Sequence, residues 1–263
     1  MSSPTGPTPP PPPQYPPSHE QAAIAPAGPG LSEPQRLINV FFAPSKTFID
    51  IRRNASWWVP FLLVSVVSIA FFTTIDKKVG FDRVARTMME SNSRMQQASP
   101  EQQEQMINIT AKGLKFGGFA SPIFVLLYAV IIAAVLMATF NFGMDAQVSF
   151  GQSLAIVLYG WLVTTLGALL GIVTVALGNP EGFRMDNPVG TNPAYFLDAA
   201  TTSKFVYSFL TAFDVISLWA AAIIGIGFAL NAKKKISTGT GIGVVIGWYL
   251  VYKLGAAALA GLR

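Results

Sequence analysis

The chain contains no cysteine, and its single histidine, His19, lies near its N-terminus. The lack of cysteine excludes disulfides, thiolate metal sites, iron–sulfur clusters and cysteine nucleophiles. Because His19 sits in a proline-rich stretch, no histidine is available as a base or metal ligand within the apolar part of the chain. We therefore expect no catalytic residue, no cofactor-binding residue and no metal site.

Charge is also scarce, since 12% of the 263 residues are charged and 51% are hydrophobic. Soluble domains carry about 25% charged residues. The mean hydropathy is +0.46, and the charges cluster between long apolar runs, which is typical of a polytopic membrane protein. We interpret Lys233–Lys235 as a topology signal, so the expected partner is the lipid bilayer and not nucleic acid.

Five apolar runs predict an all-α bundle of five transmembrane helices. Each run has about 19 to 26 residues, enough to cross a hydrocarbon core roughly 30 Å thick. The predicted spans lie near residues 57–75, 119–142, 154–177, 205–230 and 240–261. Residues 57–263 are therefore expected to form one membrane domain.

Two segments precede the first span. Residues 1–31 are rich in proline and lack apolar periodicity, which predicts a disordered tail that acts as a spacer or, alternatively, as a ligand for a proline-binding groove. Residues 32–56 are expected to form two short helices that lie on the bilayer surface. Ser32 and Gln35 have the spacing of a capping box at the start of the first helix.

The longest predicted loop, residues 76–118, is expected to be partly helical. Ser99 is followed by a proline and, three positions on, by Gln102, which is a helix-start signal. Met88, Met106 and Ile109 give this loop a partly apolar face. The loop at 178–204 contains three Asn-Pro pairs and is expected to be rich in turns.

The basic residues favour a cytoplasmic N-terminus. With five spans, the segment before the first span and the fourth loop lie on the same face, and both are basic close to membrane ends. The long first loop is basic as well and argues for the opposite orientation. The residues that favour a cytoplasmic N-terminus are Arg36, Lys46, Arg52, Arg53 and Lys233–Lys235. The basic residues of the long first loop are Lys77, Lys78, Arg83, Arg86, Arg94, Lys112 and Lys115.

Glycines at a spacing of four place small residues on one helical face. This applies to Gly239, Gly243 and Gly247 in the last span, and to Gly167 and Gly171 in the third. Such faces allow helix backbones to approach closely. The contact lies either within one chain or between two chains, and the second alternative corresponds to a homo-oligomer.

Asp214 is the sharpest polar feature of the apolar runs. An ionised aspartate at the centre of a span costs about 2.5–3.5 kcal/mol on insertion scales. Either the span begins at Val215 and Asp214 caps it, or Asp214 faces the interior of a longer span. Lys253 lies at a similar depth in the next span, so we hypothesise that the two charges pair. The alternative for Lys253 is snorkelling to the headgroups.

Three motifs in order resemble the Yip-type family, named for proteins that interact with Ypt/Rab GTPases, and especially its bacterial branch. The first is LINVFFAPSKTFIDIRRNASWWVPFLL, the second is DVISLWAAAIIGIGFAL, and the third is a basic turn before a glycine-rich last span. The resemblance covers residues 35–263. The resemblance implies a five-helix domain with a cytoplasmic N-terminus. Because the similarity is to the bacterial branch, it also implies that the protein lies in a bacterial cytoplasmic membrane.

Within the second motif, Asp214, Trp219, Gly225 and Gly227 match the family pattern, with Trp219 and Gly225 expected to serve packing. Eukaryotic relatives act as non-enzymatic adaptors, so the resemblance implies an adaptor or organiser with a protein partner of unknown identity. A small transporter or channel subunit that uses Asp214 and Lys253 is the alternative. An intramembrane enzyme is not expected, because aspartyl types need a second buried aspartate.

Overall fold

The computed structural model describes residues 29–90, 97–179 and 183–262, and this part of the chain is helical with no strand. Only the last three residues of the predicted tail, residues 1–31, fall among the described residues. The α-helices are α1 (Glu33–Phe42), α2 (Pro44–Ile51), α3 (Trp58–Lys78), α4 (Phe81–Glu90), α5 (Pro100–Phe119), α6 (Ser121–Met144), α7 (Phe150–Trp161), α8 (Thr164–Leu177), α9 (Lys204–Leu210), α10 (Val215–Asn231) and α11 (Thr238–Gly261).

The all-α membrane fold is confirmed. Helices α3, α6 and α11, and the run formed by α7 and α8, are each long and apolar enough to cross a membrane. Helices α9 and α10 pass the same test only together, and they are bent by 52°. The described residues thus contain four spans, or five when the bent pair counts as one. The predicted fourth span is not one straight helix, because it breaks at Asp214.

Local chemistry explains where several helices begin. Ser32 starts α1 and Ser99 starts α5, and each forms the predicted capping box with the glutamine three residues later. The same box at Ser149 starts α7. These boxes satisfy backbone N–H groups that an α-helix leaves without an intrahelical partner.

The two N-terminal helices, which the sequence predicts to lie on the bilayer surface, each pack an apolar face on the bundle. Val40, Phe48 and Ile51 are fully buried in the main core. Arg36 of α1 donates to Asp50 of α2 over 2.7 Å, and both side chains are buried. Burial alone lowers the pKa of Arg36, but interactions with Asp50 and Tyr159 together outweigh it, so the pKa is raised. This buried ion pair joins α1 to α2. Both helices contact α7, and α2 also contacts α10.

Helices α4 and α5 form a hairpin with a small core of its own. Phe81, Val84 and Ala85 of α4 pack against Ile107 and Ala111 of α5. The ends of the spans α3 and α8 contribute further side chains to this core, namely Ile75 and Val175. The described part of the predicted partly helical loop is therefore a pair of helices fixed to one end of the bundle.

Two glycines bring α10 and α11 into close contact. A methyl group at Gly225 would lie 2.5 Å from the Cα of Ile242, and one at Gly241 would lie 2.3 Å from the carbonyl oxygen of Gly225. Real side chains are not found this close to backbone atoms, so the two helices cross where neither has a side chain. Gly241 belongs to this crossing, although the spacing pattern pointed to its neighbours.

The glycines predicted from spacing fall into two groups. A methyl at Gly171 would lie 2.7 Å from the ring of Phe71, so this glycine is needed for close packing, whereas Gly167 makes an ordinary contact. Gly243 and Gly247 face open space, and a methyl at Gly239 would meet only a side chain of its own turn. Packing among the described residues of one chain does not use this second group, and contact between two chains stays a prediction for it.

We predict that Gly225→Ala lowers the stability of the protein by about 1–3 kcal/mol, because the methyl group overpacks a backbone contact. Thermal unfolding of the purified protein in detergent measures the change. Gly243→Ala is the matched control in the adjacent helix and should unfold at or slightly above the wild-type temperature, because alanine favours a helix over glycine. Equal unfolding temperatures for the two variants would contradict the close crossing.

Candidate functional site

Asp214 lies in the break between α9 and α10. The 3₁₀ turn Thr211–Phe213 ends α9, and Asp214 has an extended backbone with φ −69° and ψ 118°. Its Oδ1 accepts a hydrogen bond of 2.7 Å from the backbone N–H of Ser217. Asp214 is therefore the N-cap of α10, as in the first of the two alternatives considered for the sequence.

The loop that precedes α9 folds against this break. The carbonyl oxygen of Thr191 accepts a 3.0 Å hydrogen bond from the backbone N–H of Val215. The hydroxyl group of the same threonine donates to Oδ2 of Asp214. Sequence reasoning missed Thr191, because no local pattern shows which polar residue of the Asn-Pro loop meets the capping aspartate.

Two asparagines of Asn-Pro pairs hold the loop in shape. Asn187 and Asn192 are buried and exchange side-chain amide hydrogen bonds of 3.2 and 2.8 Å. Asn187 also donates to the hydroxyl of Tyr207 on α9 over 3.2 Å. The guanidinium of Arg184 lies 5.4 Å from the centre of the Tyr207 ring. The loop and α9 thus form one hydrogen-bonded unit, and the pairs of Asn and Pro were the sequence signal for its turns.

Lys253 of α11 points to the same place. Its ammonium group donates to the hydroxyl of Thr211 over 3.2 Å and lies 5.9 Å from the ring centre of Tyr249. Lys253 and Asp214 line one polar cavity of about 250 Å³. These two described residues do not form an ion pair within 4.0 Å. Pairing of the two charges across the cavity stays a hypothesis.

The other residues of the second motif lie in packed positions. Trp219 meets Phe41 of α1 edge to face, with ring centres 6.2 Å apart. A methyl at Gly227 would lie 2.5 Å from Ile156 and 3.0 Å from Phe48, so this glycine lets α10 approach α7 and α2. Together with Gly225, these residues position α10 rather than line the cavity.

The polar cavity offers two carboxylates, those of Asp186 and Asp214, together with an ammonium group, hydroxyls and amides. Its lining comes from α8, α10, α11 and the Asn-Pro loop. The described residues contain no group of three or more acidic or histidine side chains that could hold a metal ion. The arrangement can bind a polar group through charge and hydrogen bonds.

The model of the Yip1 domain matches residues 38–259. The chain belongs to the Yip1 domain family. The matched region contains the helix break, the cavity residues Asp214 and Lys253, and the α4–α5 hairpin. It also confirms the family resemblance drawn from the sequence motifs. No curated protein and no solved structure matches the chain.

Replacement of Asp214 should separate its capping role from a role of its charge. Asparagine is as good an N-cap as aspartate, whereas alanine costs about 1 kcal/mol. We predict that Asp214→Ala unfolds at a lower temperature in detergent than Asp214→Asn. Equal destabilisation by both substitutions would show that the carboxylate charge dominates over the cap.

A double-mutant cycle tests the hypothesised pairing of Asp214 with Lys253 in this Yip1 domain. It combines Asp214→Asn with Lys253→Gln and includes the exchanged pair Asp214→Lys with Lys253→Asp. If the charges interact across the cavity, the effects of the two single substitutions on stability are not additive, and the exchange partly restores stability. Additive effects and an exchanged protein no more stable than Asp214→Lys alone would contradict pairing.

Proposed function

We propose that this Yip1-domain protein is a non-enzymatic membrane adaptor that binds a protein partner through its α4–α5 hairpin. The observation that carries the proposal is an exposed apolar surface on this hairpin, formed by Met88, Met106 and Ile109. Ile109 is 63% exposed and Met106 is 39% exposed, although both lie on an ordered helix. We call these three residues the Met–Ile surface.

The Met–Ile surface lies beyond the end of the neighbouring span. Lys115 of α5 contacts Asp76 near the C-terminus of α3, with 3.5 Å between the charged atoms. Ile109 is six residues further from the bundle along α5, which is about 9 Å at 1.5 Å per residue. Exposed apolar side chains on the water side of a membrane protein, unlike those that face lipid, favour binding of another protein.

The chemistry of the Met–Ile surface suits a protein partner. Methionine side chains are flexible and polarizable, and they adapt to a partner's shape. An exposed ion pair between Arg86 and Glu104, 3.1 Å long, lies at its side. An apolar centre with a polar rim is the usual anatomy of a protein interface.

A pull-down with the native protein tests the adaptor role. The protein carries a C-terminal tag, is solubilised gently from its own membranes, and co-purifying proteins are quantified by mass spectrometry. We expect a near-stoichiometric partner with the wild type and at least a tenfold loss with Ile109→Asp, because a buried interfacial charge without a partner costs more than about 1.4 kcal/mol.

Asn108→Asp is the matched control, since it adds the same charge at a neighbouring exposed position of α5. Thermal unfolding shows that both variants are folded. Retention of the partner by Ile109→Asp, or the lack of any near-stoichiometric protein with the wild type, would contradict the proposal.

We further propose that the protein resides in a bacterial cytoplasmic membrane with its N-terminus in the cytoplasm. The support is the basic Lys233–Lys235 turn together with the basic residues of α1 and α2. The guanidinium of Arg52 donates to the carbonyl oxygen of Leu230, so the two basic groups lie at one end of the bundle. The α4–α5 hairpin then projects from the opposite side.

The natural absence of cysteine makes this orientation directly testable. Single cysteines are introduced by Gln105→Cys on α5 and Thr238→Cys at the start of α11, both at exposed positions. In intact cells a membrane-impermeant maleimide should label Gln105→Cys, and it should label Thr238→Cys only after the membrane is permeabilised. The reverse labelling pattern would invert the orientation.

A second candidate function is a small transporter or channel subunit. The shared cavity of Asp214 and Lys253 favours it, because intramembrane charges often mark a path for substrates or ions. When the bent pair counts as one span, the number of spans is five, which does not divide into the two equal halves of the inverted-repeat transporters and favours the adaptor. Flux in liposomes that is abolished by Lys253→Gln would favour the transporter instead.

A further inference from the structure

Two cavities meet inside the bundle. An apolar chamber of about 770 Å³ lies between α3, α6, α8, α10 and α11. The polar cavity of Asp214 and Lys253 adjoins it, since Thr164, Ala168 and Ser217 line both. Together they form one amphipathic space, with an apolar part and a polar part that holds the ammonium group of Lys253 and the carboxylates of Asp214 and Asp186.

The apolar chamber is accessible from the lipid-facing side of the bundle. Trp248 and Val251 of α11 line it and are 45% and 63% exposed. Across the opening, Tyr128 of α6 also lines the chamber. The indole N–H of Trp248 donates to the hydroxyl of Thr139 on α6 over 3.0 Å and bridges the two helices. The chamber therefore opens sideways, where the tails of bilayer lipids are its neighbours.

The size and lining of the chamber fit a hydrocarbon chain. Its volume falls in the range of about 300–1,000 Å³ that is usual for ligand sites. The lining is mostly aliphatic and aromatic. One polar group of the lining is buried without a hydrogen bond. This is the hydroxyl of Tyr249, which has no hydrogen-bond partner among the described residues. A buried polar atom of this kind is usually satisfied by a bound molecule or an ordered water.

The polar cavity has unused capacity for both signs of charge. The ammonium group of Lys253 has three donors, of which one goes to Thr211. The carboxylate of Asp214 accepts from Thr191 and Ser217, and it has about four acceptor sites in total. The third charged group of the lining, the carboxylate of Asp186, is already paired with Arg184 over 2.9 Å. The ammonium group of Lys253 and the carboxylate of Asp214 therefore remain, at separate points, to complement a headgroup that itself carries an anion and a cation.

We propose that this amphipathic space binds one phosphatidylethanolamine molecule from the bilayer. An acyl chain lies in the apolar chamber, the phosphate contacts Lys253, and the primary ammonium group donates to Asp214. A phosphatidylcholine headgroup has no N–H to donate, and phosphatidylglycerol has no cation for Asp214. The site is independent of the adaptor role, because the Met–Ile surface lies on a different element.

Native mass spectrometry of the full-length protein tests this lipid site. The protein is incorporated into nanodiscs with phosphatidylethanolamine, phosphatidylcholine or phosphatidylglycerol of identical chains, released into mild detergent, and the retained lipid is counted. We expect one retained phosphatidylethanolamine per protein and about tenfold less retention of the other two lipids, as for the loss of one charge-assisted hydrogen bond.

Substitutions then assign the contacts. Lys253→Gln should lower phosphatidylethanolamine retention about tenfold, whereas Lys204→Gln, which removes an exposed lysine outside the cavity, should not. Asp214→Asn keeps the helix cap and should abolish the preference for phosphatidylethanolamine over phosphatidylcholine. Ala168→Phe should block the passage between the two cavities and reduce retention of all three lipids.

The comparison of headgroups with the wild type needs no variant and decides the proposal even if a variant fails to fold. Equal retention of the three lipids, or no retained lipid, would overturn it. Stronger retention of phosphatidylglycerol would also overturn it and would assign an anionic ligand to Lys253. Retention that Lys253→Gln and Lys204→Gln reduce equally would exclude the polar cavity as the binding place.

Discussion

A helix break inside an apolar bundle must satisfy its own backbone groups. In hydrocarbon no water is available to do so, and each unsatisfied N–H costs several kcal/mol. At the break before α10, the N–H of Val215 bonds to the carbonyl of Thr191 and the N–H of Ser217 bonds to Asp214. The 52° bend therefore depends on the Asn-Pro loop. This loop is part of the membrane domain and not a simple connection.

The bend also explains why a cavity exists between α10 and α11. The two helices touch at Gly225 and Gly241, near the turn that joins them. Asp214 lies 11 residues from that crossing and Lys253 lies 12 residues from it, which is about 16–18 Å along each helix. Helices that cross in close contact move apart with distance from the crossing point. Beyond the bend, α9 approaches the far end of α11, where Gly261 lies against Phe205. The polar cavity fills the space left between these two contacts.

Local signals predicted the features that depend on neighbouring residues. Apolar run length indicated the spans, and Ser32 and Ser99 were correctly predicted as helix starts, because caps are made within four residues. The role of Asp214 stayed open in the sequence, because one of its hydrogen-bond partners, Thr191, lies 23 positions upstream. Glycine spacing indicated a small-residue face on α11, but Gly241 makes the contact. Spacing reveals that a face exists, whereas the angle of the partner helix decides which face is used.

The Asn-Pro loop also connects the cavity with the hairpin. Phe183 and Met185 pack against the small core shared by α4 and α5. Six residues after Met185, Thr191 contacts Asp214. One short segment thus supports both the surface proposed to bind a protein and the space proposed to bind a lipid. For two sites to influence each other, some element between them must have two distinct conformations, and binding at each site must shift the equilibrium between those conformations. This segment is the element where such arrangements would have to occur, because its displacement would disturb the hairpin core and the helix cap together.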